Sequence, residues 1–193
     1  MPPSPVVGRR AAALLWLAAA LAGGDAARAG GQAGGGAASW RQEAQGLFLR
    51  LTQILPDQLR AFYEARGFDP AAVERIARAC VFQTELRNTG GTPLEVDLAD
   101  WRLVTDRGTR PLRSKDSWLK EWEARGVPPP ARLAFRWATF PAHQVFQPGD
   151  WNMGMLITDQ PPGSRFDLEV RWRRGGKAQA LVLEAVRCPG QPS

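Results

Sequence analysis

His143, Met153 and Met155 are the residues of this chain whose types and spacing suit soft-metal chemistry. Copper(I) favours thioether sulfur and imidazole nitrogen as ligands. A closed site needs further ligands, and the chain has only one histidine and, besides this pair, only the initiator Met1. The competing reading is a core strand. Alternation through "WNMGMLIT" puts Trp151, Met153, Met155 and Ile157 on one strand face, which predicts that both sulfurs are buried. We therefore expect no cofactor, with copper on His143, Met153 and Met155 as the alternative.

Cys80 and Cys188 stand at the two ends of the body of the chain, and neither has a second cysteine or a histidine within ten residues. In an oxidising compartment an even, isolated pair is most simply a disulfide. It closes a loop of about 108 residues, worth roughly 4–5 kcal/mol on the chain-entropy model.

Other catalytic signatures are missing. There is no Gly-x-Ser-x-Gly elbow, and a single histidine limits hydrolase chemistry. Asp150, Asp159 and Asp167 are the candidates for a carboxylate pair, but Asp167 faces outward in an alternating strand between Arg165 and Arg171, where cross-strand charge pairing accounts for it. The glycines at 30–36 and 90–91 lack the strand–loop–helix setting of a phosphate loop. A hydrolase or other enzyme is the third choice, behind a binding protein and a copper carrier.

Two groups of side chains suit recognition. Trp118 and Trp122 share one side of a short helix that interrupts the strands, and either ring is suited to a partner. Arg171, Arg173, Arg174 and Lys177 cluster at "RWRRGGK", a hairpin turn suited to anionic head groups or an acidic partner.

The compartment is read from the N-terminus. Arg9-Arg10, the apolar run Ala11–Ala22 and Ala27-Arg28-Ala29 have the three parts of a cleavable secretory signal, and the arginine pair leaves Sec and twin-arginine export open. Removing Arg9, Arg10, Arg28 and Asp25 lowers the formal charge from +6 to +4. A mildly basic exported chain with no Lys/Arg stripe is a poor nucleic-acid binder. The expected location is the periplasm, and the expected partner is another periplasmic or envelope protein or a membrane surface.

The elements that position these residues follow from periodicity and punctuation. After the signal (1–29) and a Gly/Ala linker (30–38), residues 39–79 are predicted to be helical. Ser39 and Gln42 form a capping box, and Leu47, Phe48, Leu51, Ile54 and Leu55 a stripe. Pro56 opens a second helix, and Asp69-Pro70 a third. From Cys80 to Cys188 the grammar is that of strands. "VFQTELRN" and "RFDLEVRWRR" alternate, "LEVDLADWRLVTD" changes phase near Ala99-Asp100, and "ARLAFRWATF" places Leu133, Phe135 and Trp137 on one strand face. A helix near 115–125 is inserted, and 189–193 is a tail. The fold class is α+β: an N-terminal helical layer packed on an antiparallel sandwich.

Asn88 closing the first strand, "DLADWRL", the Pro-Gly-acid turn and in-strand Gly154 of "PGDWNMGMLI", and "FDLEVRW" together resemble the immunoglobulin-like domains of small exported bacterial proteins. The resemblance spans about residues 81–187 and implies an immunoglobulin-like β-sandwich used for binding and assembly, with no catalytic residues to carry over.

Overall fold

The computed structural model describes residues 37–190; the signal segment, nearly all of the linker and the end of the tail lie outside them. Strands β1 (Ser39–Ala44) and β2 (Leu47–Gln53) form a hairpin, in place of the expected first helix. Gln45 and Gly46 both take positive φ, +47° and +75°, which is the two-residue turn that suits twisted hairpins. Leu47, Leu49 and Leu51 are all fully buried, so the burial period is two. The apolar residues of this stretch satisfy both periods, and pairing with the next strand decides between them.

Helices α1 (Pro56–Glu64) and α2 (Pro70–Ala77) follow as punctuated, each with proline in its first turn. The Asp69 carboxylate caps α2 by accepting from the Ala71 and Ala72 N–H groups. Strand β3 (Val81–Asn88) pairs antiparallel with β2 on one side. On the other it pairs with β8 (Trp151–Ile157), giving the sheet β1-β2-β3-β8.

The second sheet is built around β9 (Arg165–Arg174), which pairs antiparallel with β10 (Lys177–Arg187) through a Gly175-Gly176 turn. The other edge of β9 carries β4 (Leu94–Asp97) and then β5 (Arg102–Thr105) in tandem. Val96 lies opposite Trp172 and Arg102 opposite Glu169, so Asp97–Trp101 face only Val170 and Arg171. The excess is taken up by a single 3-10 turn, Leu98–Asp100, at the expected change of phase. Strand β6 (Gly108–Pro111) adds to β5, and β7 (His143–Phe146) to β4. A second irregularity lies between Leu183 and Val186. There Ala185, at φ +57°, donates its N–H to the Asp167 carboxylate (2.7 Å), so Asp167 holds a bulge rather than pairing with a neighbouring arginine.

Helices α3 (Lys115–Ala124) and α4 (Pro129–Ala138) form a second helical pair. Ser114 caps α3 through its hydroxyl, which accepts from the Ser117 N–H. The expected strand through Leu133, Phe135 and Trp137 is instead α4. "PPP" places proline at N1, and the alanine-rich run that follows favours helix. Ala131 and Phe135, one turn apart, face inward.

The described residues thus contain four helices and two antiparallel sheets of ten strands. The β3–β8 sheet contributes to two cores. Phe82, Leu86 and Leu156 pack with Trp101, Phe166, Leu168, Val170 and Trp172 of the other sheet. Val81, Met155 and Ile157, on the opposite face, pack with Tyr63, Ile76, Trp122 and Phe135 of the helices. Gly154 makes the join. A Cβ there would lie 2.7 Å from the Phe140 backbone N and Cα, and the Phe140 N–H donates to the Met155 carbonyl (2.9 Å).

Cys80 and Cys188 are bonded, with Cα atoms 5.2 Å apart and a sequence separation of 108. The bridge joins the start of β3 in one sheet to the end of β10 in the other. It therefore clamps the two sheets together.

Candidate functional site: the outer face of helices α3 and α4

The metal-ligating candidates are not brought together. Met155 is 8% exposed, and its sulfur accepts a hydrogen bond from the Tyr63 hydroxyl (3.4 Å) inside the helical core. Met153 shares its strand face but is 49% exposed, as is Trp151 at 53%, because the helices cover only the Met155–Ile157 end of β8. The expectation that both methionines are buried therefore holds for one. His143 lies on β7 in the other sheet, exposed, with Nε2 3.2 Å from Glu95 Oε1. Its neighbours Gln144 and Phe146 turn toward the sandwich, which directs His143 to the outer surface of that sheet. The methionines project from the far side of the opposite sheet.

Trp118 and Trp122 are interior residues, 1% and 0% exposed, and this corrects their assignment to a partner surface. They stack on each other with centroids 5.4 Å apart, and Trp122 meets Phe68 and Phe135 edge-on. The guanidiniums of Arg113 and Arg75 lie 4.1 and 4.4 Å from the Trp118 ring centroid. Both arginines also pair with Glu121, at 2.7 and 3.1 Å, and with Asp159. Burial alone would raise the Glu121 pKa, but Arg113, Arg75 and Arg125 outweigh it and hold the carboxyl below its ordinary value. The tryptophan ring is thus an internal support for charges that tie α2, α3 and the Asp159 loop together.

The basic hairpin is also divided. Arg171 pairs with Glu169 on its own strand (2.7 Å), while Arg173 and Lys177 are exposed. Arg174 turns inward and donates to Asn88 Oδ1 (3.2 Å) and Thr92 Oγ1 (3.0 Å). Asn88, fully buried, donates in turn to the Thr92 and Phe146 carbonyls. Arg174 is therefore part of the loop's framework rather than of a free basic patch.

The largest apolar exposure on the helices lies elsewhere. On α4 the face opposite Ala131 and Phe135 carries Leu133, 53% exposed, and Trp137, 80% exposed, one turn apart. With Leu119 of α3 they line an open groove of about 690 Å³ between the two helices. Asp116, Lys120 and Arg136 border it, and Arg132 pairs with Glu123 across it (2.6 Å). The expected strand placed Leu133, Phe135 and Trp137 on one face, whereas the helix puts Phe135 on the buried side and the other two on the exposed side. Their four-residue spacing directly after three prolines is the signal that identifies an exposed helical stripe.

Comparison with known proteins adds no assignment: no protein-family model matches the chain, and no curated protein matches it. Among the described residues no group of three or more His, Cys, Asp or Glu side chains is placed to hold a metal ion, and no helix is long and apolar enough to cross a membrane.

Proposed function

We propose that this chain is an exported, non-enzymatic binding or assembly accessory protein of the periplasm, and that it docks onto another envelope protein through the α3–α4 groove. The observation that carries this reading is Trp137, a large aromatic side chain four-fifths exposed on a helix whose other aromatic, Phe135, is fully buried. Exposed tryptophan beside leucine is the composition of an interface anchor. The border supports a protein partner over a lipid surface. It carries charges of both signs, Asp116 and Glu123 with Lys120, Arg132 and Arg136, where an anionic membrane favours a uniformly basic rim. Export is supported by the N-terminal signal pattern and by the Cys80–Cys188 bridge, which persists in oxidising compartments. The immunoglobulin-like resemblance, a sandwich used for binding and assembly, points the same way.

The test is photo-crosslinking in the native cells from probes placed at Leu133 and Trp137, with a control probe at His143. A single envelope protein crosslinked from the first two positions, whose purified form binds the chain and loses that binding with Trp137→Ala, is the expected result. Crosslinks to lipid alone, or unchanged binding by Trp137→Ala, overturn the reading.

A further inference from the structure

On the other side of α3, where the sandwich core and the helical core meet, the packing leaves a cavity of about 190 Å³. Leu98 and Leu112 line it from the sheet side, Trp118 and Phe135 from the helices, and Met155 and Ile157 from β8. Its size exceeds the ~150 Å³ at which an apolar cavity in a protein accepts a benzene ring. Most of its lining is apolar, with Asp97, Arg113, Ser114, Lys115 and Thr139 as the polar side chains.

Three of these polar residues are consecutive, Arg113–Lys115, and Asp97 and Thr139 are the others. The Arg113 charge is already paired, whereas the Asp97 carboxylate is held in place without losing its charge. Arg113 is engaged by Glu121, Asp159 and the Ser117 carbonyl and hydroxyl. Asp97 Oδ1 accepts from the Ala99 N–H. The Lys115 ammonium differs. It donates to the Arg136 and Thr139 carbonyls, at 3.2 and 3.1 Å, and its third N–H has no partner among the described residues. It is also partly withdrawn from water, with Arg136 and Asp116 nearby. A cation so placed at an apolar cavity is complementary to an anion that brings its own apolar body.

We propose that this cavity binds a small amphipathic carboxylate, with one aromatic ring or a short aliphatic tail among Trp118, Phe135, Met155 and Ile157 and the carboxylate on Lys115. The carboxylate accepts the unspent N–H in a charge-assisted bond, and the apolar body fills space the side chains leave open. Sheet and helices both contribute to the lining, so an occupant joins the two cores and stabilises the folded chain. The site is separate from the outer groove, which is lined by Asp116, Leu119 and Lys120 on the opposite stripe of α3.

The experiment is methyl NMR on the mature protein, following Met155, Leu156 and Ile157 during titration with benzoate, hexanoate, toluene and benzylammonium. Benzoate or hexanoate should shift these methyls saturably and raise the melting temperature, and benzylammonium should not. Lys115→Met should weaken the carboxylate by about tenfold or more while leaving toluene unchanged. Ala142→Leu, at an exposed position on the cavity rim, should weaken all of them. The proposal is overturned if neither carboxylate moves these methyls, if benzylammonium binds as well as benzoate, or if either variant binds the carboxylate like the wild type.

Discussion

The Tyr63 hydroxyl donates to the Met155 sulfur across 3.4 Å in the interior of the helical core. Tyr63 is fully buried, and burial pushes its pKa well above the ordinary tyrosine value, so the donor keeps its proton across the working pH range. A thioether held this way belongs to the fold. Its strand neighbour Met153, two residues away, faces solvent.

The two methionines should therefore separate on substitution. Met153→Leu should change stability by less than about 0.5 kcal/mol, since the side chain is half exposed. Met155→Leu should cost up to about 1.5 kcal/mol for the change of shape and leave the Tyr63 hydroxyl without its acceptor. Urea unfolding of both variants measures the difference. A Cu(I) titration against a competing chelator should show no tight one-to-one site that disappears in the double variant. Such a site would mean that Met155 leaves the core to bind metal.

How far these placements were legible in the sequence depends on whether the deciding signal was local. Asp69-Pro70 and Pro56 mark helix starts by a capping carboxylate and by proline in the first turn, and α2 and α1 begin there. The alternation of Phe166, Leu168, Val170 and Trp172 identifies β9 unaided. Residues 39–53 and 129–138 fit either period, and in both the reading went to the wrong one. Partner strands decide the first segment and proline followed by alanine the second. The strand phase of Met153 was read correctly. Its exposure was not, because that depends on where α4 ends over β8, a tertiary fact with no local trace. Lys115 carried no signal at all, since nothing in "SKDSWLK" shows that a cavity lies beside it.

Gly154 should be the least replaceable glycine of the sandwich. The backbone of Phe140 lies where a side chain would begin, and backbone cannot swing aside as the end of a long side chain can. Gly154→Ala should force β8 and the α4–β7 connection apart and cost about 1–3 kcal/mol or more, the range for overpacking. Gly91→Ala, with nothing within 4 Å, is the matched control. Equal melting temperatures for the two variants would show that the Phe140 segment yields easily.

The Cys80–Cys188 bridge should contribute through the unfolded state, where it closes 108 residues of chain. Its loss in a Cys80→Ala, Cys188→Ala variant should cost about 2–5 kcal/mol. Non-reducing peptide mapping of freshly prepared protein should recover the linked pair. Reductant should lower the melting temperature of the wild type and leave that of the variant unchanged. Two free thiols in the native protein would contradict the bridge.

Glu121 should make stability fall on the acid side. Its carboxyl meets Arg113, Arg75 and Arg125, and these hold its pKa below the ordinary glutamate value despite the opposing effect of burial. A group whose pKa is lower folded than unfolded binds more protons in the unfolded chain. Its stabilisation is therefore complete above the unfolded pKa, near 4.3, and is lost as the pH falls through the lower folded value. Glu121→Gln should accordingly be less stable than the wild type at pH 7, with the gap narrowing below about pH 4.5 as the wild-type carboxylate is protonated. Added salt should narrow it less than for an exposed pair, because the side chain is only 17% accessible and screening acts chiefly on charges in water. Melting curves of both proteins from pH 3 to 7 follow the gap directly. A gap that stays constant across that range would place the role of Glu121 in its shape and hydrogen bonds rather than in its charge.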